Sequence, residues 1–136
     1  MQLVLDTCAL VALAEGEPMR ASAIAAIEAA QEAQALFVSS FVALEVAQKM
    51  AVGKLVLGRA NARSWFGYAV RSFGLTEVRM SVDMALTAYE LPEPFHKDPA
   101  DRLIVAMARL LRAAVVTIDR RILAYGRQGH VEVLSY

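Results

Sequence analysis

The stretch "HKDPADRLIVA", residues 96–106, decides how this chain is to be read. Two acids, Asp98 and Asp101, stand either side of Pro99, and an apolar run follows. Proline suits the first turn of a helix, so a helix is expected from Pro99 to about Arg112. Asp98 then falls at the N-cap, and Asp101 at the third helical position. That spacing matches a capping box with Asp in place of the usual Glu. On this reading both acids merely start a helix. The alternative is that one of them is held there for chemistry, which depends on what else the chain brings to the same place.

Working outward, short apolar runs alternate with helical ones. "MQLVL" reads as a buried strand over residues 2–5 with Asp6 at its carboxyl end. "ALFVSS" and "AAVVTI" are two more, the latter ending near Asp119. "LTEVRM" alternates and is expected as an edge strand, and "VEVL" as a last one. Between them lie a short helix broken near Gly16, a helix opened after Pro18, and one capped by Ser39 or Ser40 that stops around Gly53. Residues 59–74 are expected as a helix with Gly67 a weak point, Ser81 caps a helix over "VDMALTAYEL", and "RRILAYG" is short and helical. The order predicts an α/β fold: a single domain over residues 1–136, with a mostly parallel central sheet of about four or five strands and helices on both faces.

The composition narrows the function. At 57% hydrophobic the chain is too apolar to be disordered, and some of that surface is expected to meet a partner. Fourteen basic and fourteen acidic residues cancel, so any binding of nucleic acid must rest on local patches. One cysteine, Cys8, excludes an internal disulfide and points to a reducing, cytoplasmic setting. No basic-then-apolar leader is seen at the start, and no apolar run approaches the ~20 residues of a membrane span, so no membrane is expected.

In open parallel sheets, ligands bind beyond the carboxyl ends of the strands. Asp6 and Asp119 fall there, and Asp101 begins the helix leading into the strand before Asp119. Glu45 lies within a helix among Leu44, Val46 and other apolar residues. Each acid has a plain explanation: Asp98 and Asp119 as caps, Glu45 as a solvated helix residue. Asp6 has the weakest one, because an acid directly after a buried strand starts where water is scarce. Four carboxylates grouped at one sheet end repel unless a cation neutralises them. Hard divalent ions such as Mg²⁺ and Mn²⁺ take oxygen ligands of this kind, and no His or Cys pair has zinc spacing.

"LDTCAL", "ALEV", "HKDPADRLIVAMA" and "VVTIDRRI" together resemble the PIN-domain ribonucleases, and among them the VapC-type toxins of toxin–antitoxin pairs. The resemblance covers nearly the whole chain. Residue by residue, it implies that Asp6, Glu45, Asp101 and Asp119 are the catalytic, metal-holding acids, with Asp101 rather than Asp98 as the third. Thr7 and Thr117 match the family's hydroxyl positions. Many relatives carry Asn or Ser where this chain has Cys8, which is expected to be buried as a small apolar residue. The resemblance further implies an endoribonuclease dependent on Mg²⁺ or Mn²⁺, leaving a 5′-phosphate and a 3′-hydroxyl. Its partners would be an RNA substrate, a cognate antitoxin and a second copy of the chain, and dimers would pair through antitoxin.

Other residues carry less. His96 either steadies a phosphate beside the acids or is an ordinary solvated loop residue, and the latter is the expectation. Arg102, Arg120 and Arg121, with Arg59, Arg63 and Arg71, form either a phosphate-binding rim or solvated helix faces. Trp65 and Tyr68 share a helix side, with Phe66 between them, and core packing is expected over a partner groove. Three other functions fit some of the pattern. One is a PIN nuclease of RNA processing without a toxin role. Another is a phosphoacceptor receiver domain, which also groups acids at strand ends. The third is an inactive scaffold that binds a protein.

Overall fold

The computed structural model describes residues 1–59 and 61–136. Among them run, in order, β1 (Leu3–Leu5), α1 (Thr7–Ala14), α2 (Ala21–Glu32), β2 (Leu36–Ser39), α3 (Ser40–Ala51) and α4 (Ala62–Ser72). β3 (Thr76–Val78), α5 (Val82–Thr87), α6 (Pro99–Leu111), β4 (Ala114–Thr117), α7 (Arg120–Arg127) and β5 (Glu132–Ser135) follow. The strands form one sheet in the order β3-β2-β1-β4-β5, and every pairing is parallel. Leu3 pairs with both Leu36 and Ala114, so β1 is the central strand.

Leu3, Val4 and Leu5 are all fully buried, as are Val115 and Val116. Successive strand residues point to opposite faces, so burial without alternation means that both faces are covered. Ile104, Met107, Leu10 and Ile27 join the same core from the helices. Trp65 is 1% exposed and belongs to this core, as its helical spacing suggested. Tyr68 is only half-buried, with the Arg59 guanidinium 4.1 Å above its ring.

Helix starts follow the expected chemistry. Ser39 caps α3 through Phe41, Asn61 caps α4 through Ser64, and Ser81 caps α5 through Met84. α6 ends on Arg112 in the left-handed region (φ 53°) and turns directly into β4. Two expectations run long. α5 stops at Thr87 instead of reaching Leu91, and α4 begins at Ala62 instead of Arg59; Ala60 lies outside the described residues. Gly67 does not interrupt α4.

The topology positions the site. From β1 the chain moves outward through β2 and β3, then returns across the sheet to β4 and β5. The strand order reverses between β1 and β4, and the crevice beyond their carboxyl ends is where such sheets bind ligands. A receiver domain has its first strand displaced from the centre, in the order 2-1-3-4-5. The order 3-2-1-4-5 removes that alternative.

Candidate active site

Asp6 leaves β1 at the reversal point and caps α1, its Oδ1 accepting the Ala9 amide at 2.8 Å. Asp119 stands across the crevice after β4 and caps α7, accepting from Arg121 and Ile122. The Thr117 hydroxyl in turn accepts the Asp119 amide at 2.9 Å, which fixes the turn out of β4. Asp101 enters from the first turn of α6. Glu45 enters from α3, where the Thr7 hydroxyl donates to its Oε1 at 2.5 Å. All four acids line one cavity of about 330 Å³, together with Thr7, Cys8, Asp98, Lys49 and Arg121. Four segments far apart in sequence thus meet at one sheet end.

Their electrostatics follow from that crowding. Burial raises the Asp6 carboxyl above its ordinary range, against hydrogen bonds from Thr117 and the Ala9 amide, and the Asp119 and Glu45 charges add to the rise. Asp101 is pushed up to about 7, first by burial and then by Asp119, Asp98, Glu45 and Asp6. Carboxyls whose charged form is disfavoured by burial and by one another are a donor set that a cation would stabilise. The oxygens are hard, and one oxygen of Asp101 and one of Asp119 lie, with a ring nitrogen of His96, within 4.8 Å of one another. Spacing and chemistry both fit a small divalent ion.

The two acids of the opening stretch divide their labour. Asp98 caps α6, its Oδ1 accepting the Ala100 amide at 2.9 Å. The capping box remains open, because the Asp98 amide donates to His96 Nδ1 (3.4 Å) instead of to Asp101. Asp101 is left facing the cavity.

Several secondary expectations change. His96 is not a solvated loop residue: its side chain is 15% exposed, and its Nε2 lies 3.0 Å from Asp101 Oδ2. That contact is off the line of a hydrogen bond, so the buried nitrogen has no aligned partner. Burial, with the Arg121 charge, lowers the His96 pKa. Arg102 does not join a phosphate rim. It is 6% exposed and spends its guanidinium on Ala88 O, Glu93 Oε1 and Phe95 O, tying down the loop before α6. Its place in sequence beside Asp101 misled, because neighbours on a helix point about 100° apart. Of the six arginines in the expected rim, Arg121 is the one that lines the cavity among the described residues. Cys8 is exposed at the cavity instead of buried, and partial desolvation at the cavity wall, with the nearby Asp6 charge, raises its thiol pKa. Lys49, one helical turn beyond Glu45, was missed; the i, i+4 spacing on α3 was the available signal.

The family model of the PIN domain matches residues 3–128. The chain belongs to the PIN-domain family. Members of this family are nucleases, and the acidic cluster stands where the fold reverses its strand order. Among solved structures, this PIN domain is similar to VapBC2 from Rickettsia felis bound to a DNA fragment from its promoter. The TM-score is 0.74 at 18% identity, over 100% of this chain and 99% of that one. It is also similar to a toxin–antitoxin complex from Klebsiella pneumoniae, with a TM-score of 0.61 at 22% identity over 98% and 96% of the two chains. FitAcB from Neisseria gonorrhoeae gives 0.61 at 16% identity, over 98% and 96%. No curated protein matches the sequence closely enough to count as a relative. No helix among the described residues is long and apolar enough to cross a membrane.

Proposed function

We propose that this PIN domain is an endoribonuclease that needs Mg²⁺ or Mn²⁺, and that it is the toxin of a toxin–antitoxin pair. One observation carries the chemistry: Asp6, Glu45, Asp101 and Asp119 line a single cavity at the carboxyl end of β1 and β4. When bound, the ion would offset the phosphate charge and lower the pKa of a water. Asp6, Asp101 and Asp119 would hold it. Glu45, steadied by the Thr7 hydroxyl, completes the set and orients the attacking water. Lys49 and Arg121 line the same cavity and supply the positive charge that a phosphodiester needs on its open side. In-line attack then leaves a 5′-phosphate and a 3′-hydroxyl.

The toxin assignment draws on the folds it resembles, VapBC2 and a complex named as toxin–antitoxin among them. It includes a cognate antitoxin and a homodimer as partners in the cytoplasm. Leu44 on α3 and Val82 and Leu86 on α5 are large, apolar and exposed, as a surface awaiting a partner would be. A PIN nuclease of RNA processing remains the second reading, because it uses the same four acids; a small antitoxin gene beside this one favours the first.

The test is RNA cleavage by the purified protein with Mg²⁺ or Mn²⁺, with a chelator, and with Asp6→Asn. Cleavage should need the ion and fall at least about 100-fold in the variant, more than the 10–100-fold typical of residues one step removed from a metal. Cleavage by Asp6→Asn at the parent's rate would overturn the assignment.

A further inference from the structure

We propose that His96 is a positioning residue that diverts the start of α6 away from its own third residue and so delivers Asp101 to the cavity. The inference rests on the metal-site reading above. At an ordinary helix start with this spacing, the third residue folds back to accept the N-cap amide. Here that amide, from Asp98, goes to the Nδ1 of His96 at 3.4 Å. The same nitrogen faces an Arg121 guanidinium nitrogen at 3.2 Å. Two donors converging on Nδ1 require it to be the lone-pair nitrogen, which places the ring proton on Nε2. Nε2 is the buried atom beside Asp101 Oδ2, at 3.0 Å. The imidazole therefore removes the competitor for the Asp101 carboxylate on one edge and presents a proton near it on the other. Phe95 packs against the ring edge-on, with centroids 4.6 Å apart, and holds it in this orientation. Arg121 serves twice, lining the cavity and fixing the tautomer of the histidine behind it.

Two measurements test this. In the metal-free protein, long-range ¹H–¹⁵N NMR of the imidazole should find the proton on Nε2; a proton on Nδ1 overturns the proposal whether or not the protein binds metal. The second is Mn²⁺ affinity, by electron paramagnetic resonance of free Mn²⁺, in the parent, His96→Ala and His96→Asn. Asn keeps an acceptor near the place of Nδ1 and Ala keeps none. His96→Ala should bind Mn²⁺ on the order of 10-fold more weakly, as for loss of a group that orients a ligand. His96→Asn should recover most of that, with both variants melting close to the parent. Equal affinity of His96→Ala and parent overturns the proposal, and so does an Asn variant no better than Ala. If the parent itself binds no Mn²⁺, the metal-site reading falls, and the tautomer still decides the role of His96.

Discussion

Two polar clusters sit on either side of the start of α6, and they are finished in opposite ways. On one side Arg102 is buried with Glu93 Oε1 at 2.6 Å and the carbonyls of Ala88 and Phe95 around it. Its charge is answered within the chain, and only its Nε lacks a partner. On the other side, the four acids share a cavity with Lys49 and Arg121, and the pKa values of Asp6 and Asp101 rise, first through burial and then through the charges of the neighbouring acids. Burying a charge is costly in both places. The chain neutralises the first within itself and leaves the second with an excess of acids, as the cation-dependent site proposed above would require. The contrast separates a residue that holds the fold from the residues proposed to hold a ligand, although Asp101 and Arg102 are adjacent in sequence.

The sharpest way to break that contrast is Asp119→Asn. Asn caps helices as well as Asp does, so α7 should keep its start and the protein should melt close to the parent. RNA cleavage should nonetheless fall by about 100-fold or more, since a ligand is lost. A large fall in melting temperature with cleavage retained would place Asp119 with Arg102, among the structural groups.

Arg102→Ala should do the reverse. It strands the Ala88 carbonyl and loosens the loop that ends at Pro99, while Glu93 is 60% exposed and returns to water cheaply. Loss of about 2–3 kcal/mol is expected for the unmet buried acceptors. Thermal unfolding would read this as a drop of roughly 3 °C for each kcal/mol at this chain length. Metal affinity measured well below the new melting point should be little changed. A variant that melts like the parent but binds Mn²⁺ poorly would return Arg102 to the site.

The smallest effect is on pH dependence. Asp101 is raised in the folded state, to about 7 from an ordinary 3.8, so the native protein holds a proton that the unfolded chain has released. Stability of the metal-free protein is therefore greatest at or below about pH 4 as far as this group is concerned. It should fall as pH rises toward 7, because the native state binds more protons across that window. Solvent at the open cavity moderates the size of the change. Divalent ion should reverse the trend above pH 7, where it replaces the proton. Thermal melts from pH 5 to 8, with and without Mg²⁺, read both slopes, and Asp101→Asn should flatten the first. A metal-free parent that gains stability steadily from pH 5 to 8 would contradict the crowding of the acids.

Much of this was legible because the relevant signals are local. Unbroken apolar runs such as "LVL" and "AVVT" mean strands covered on both faces, and the alternation of strand and helix means parallel pairing. Caps at Ser39, Ser81 and Asp98 follow from side-chain oxygens meeting free amides. The motifs around Asp6, Glu45, Asp101 and Asp119 also singled out four acids that the fold brings to one cavity. What failed were judgements on single side chains beside those motifs. Arg102 was expected in a rim or on a solvated helix face and is buried; His96 looked solvated and touches Asp101; Cys8 looked buried and lies open.

The sequence by itself determined the strands, the helix starts and a set of acids at strand ends, because periodicity and capping act over a few residues. Only the tertiary structure decided that β1 and β4 are neighbours, so that Asp6 and Asp119 face each other across one crevice. It alone showed how the two acids at the start of α6 differ: Asp98 caps the helix while its own amide turns to His96, whose Nδ1 also faces Arg121, 25 residues away. Direction around a helix and distance across a sheet depend on packing between elements, and no local pattern encodes them.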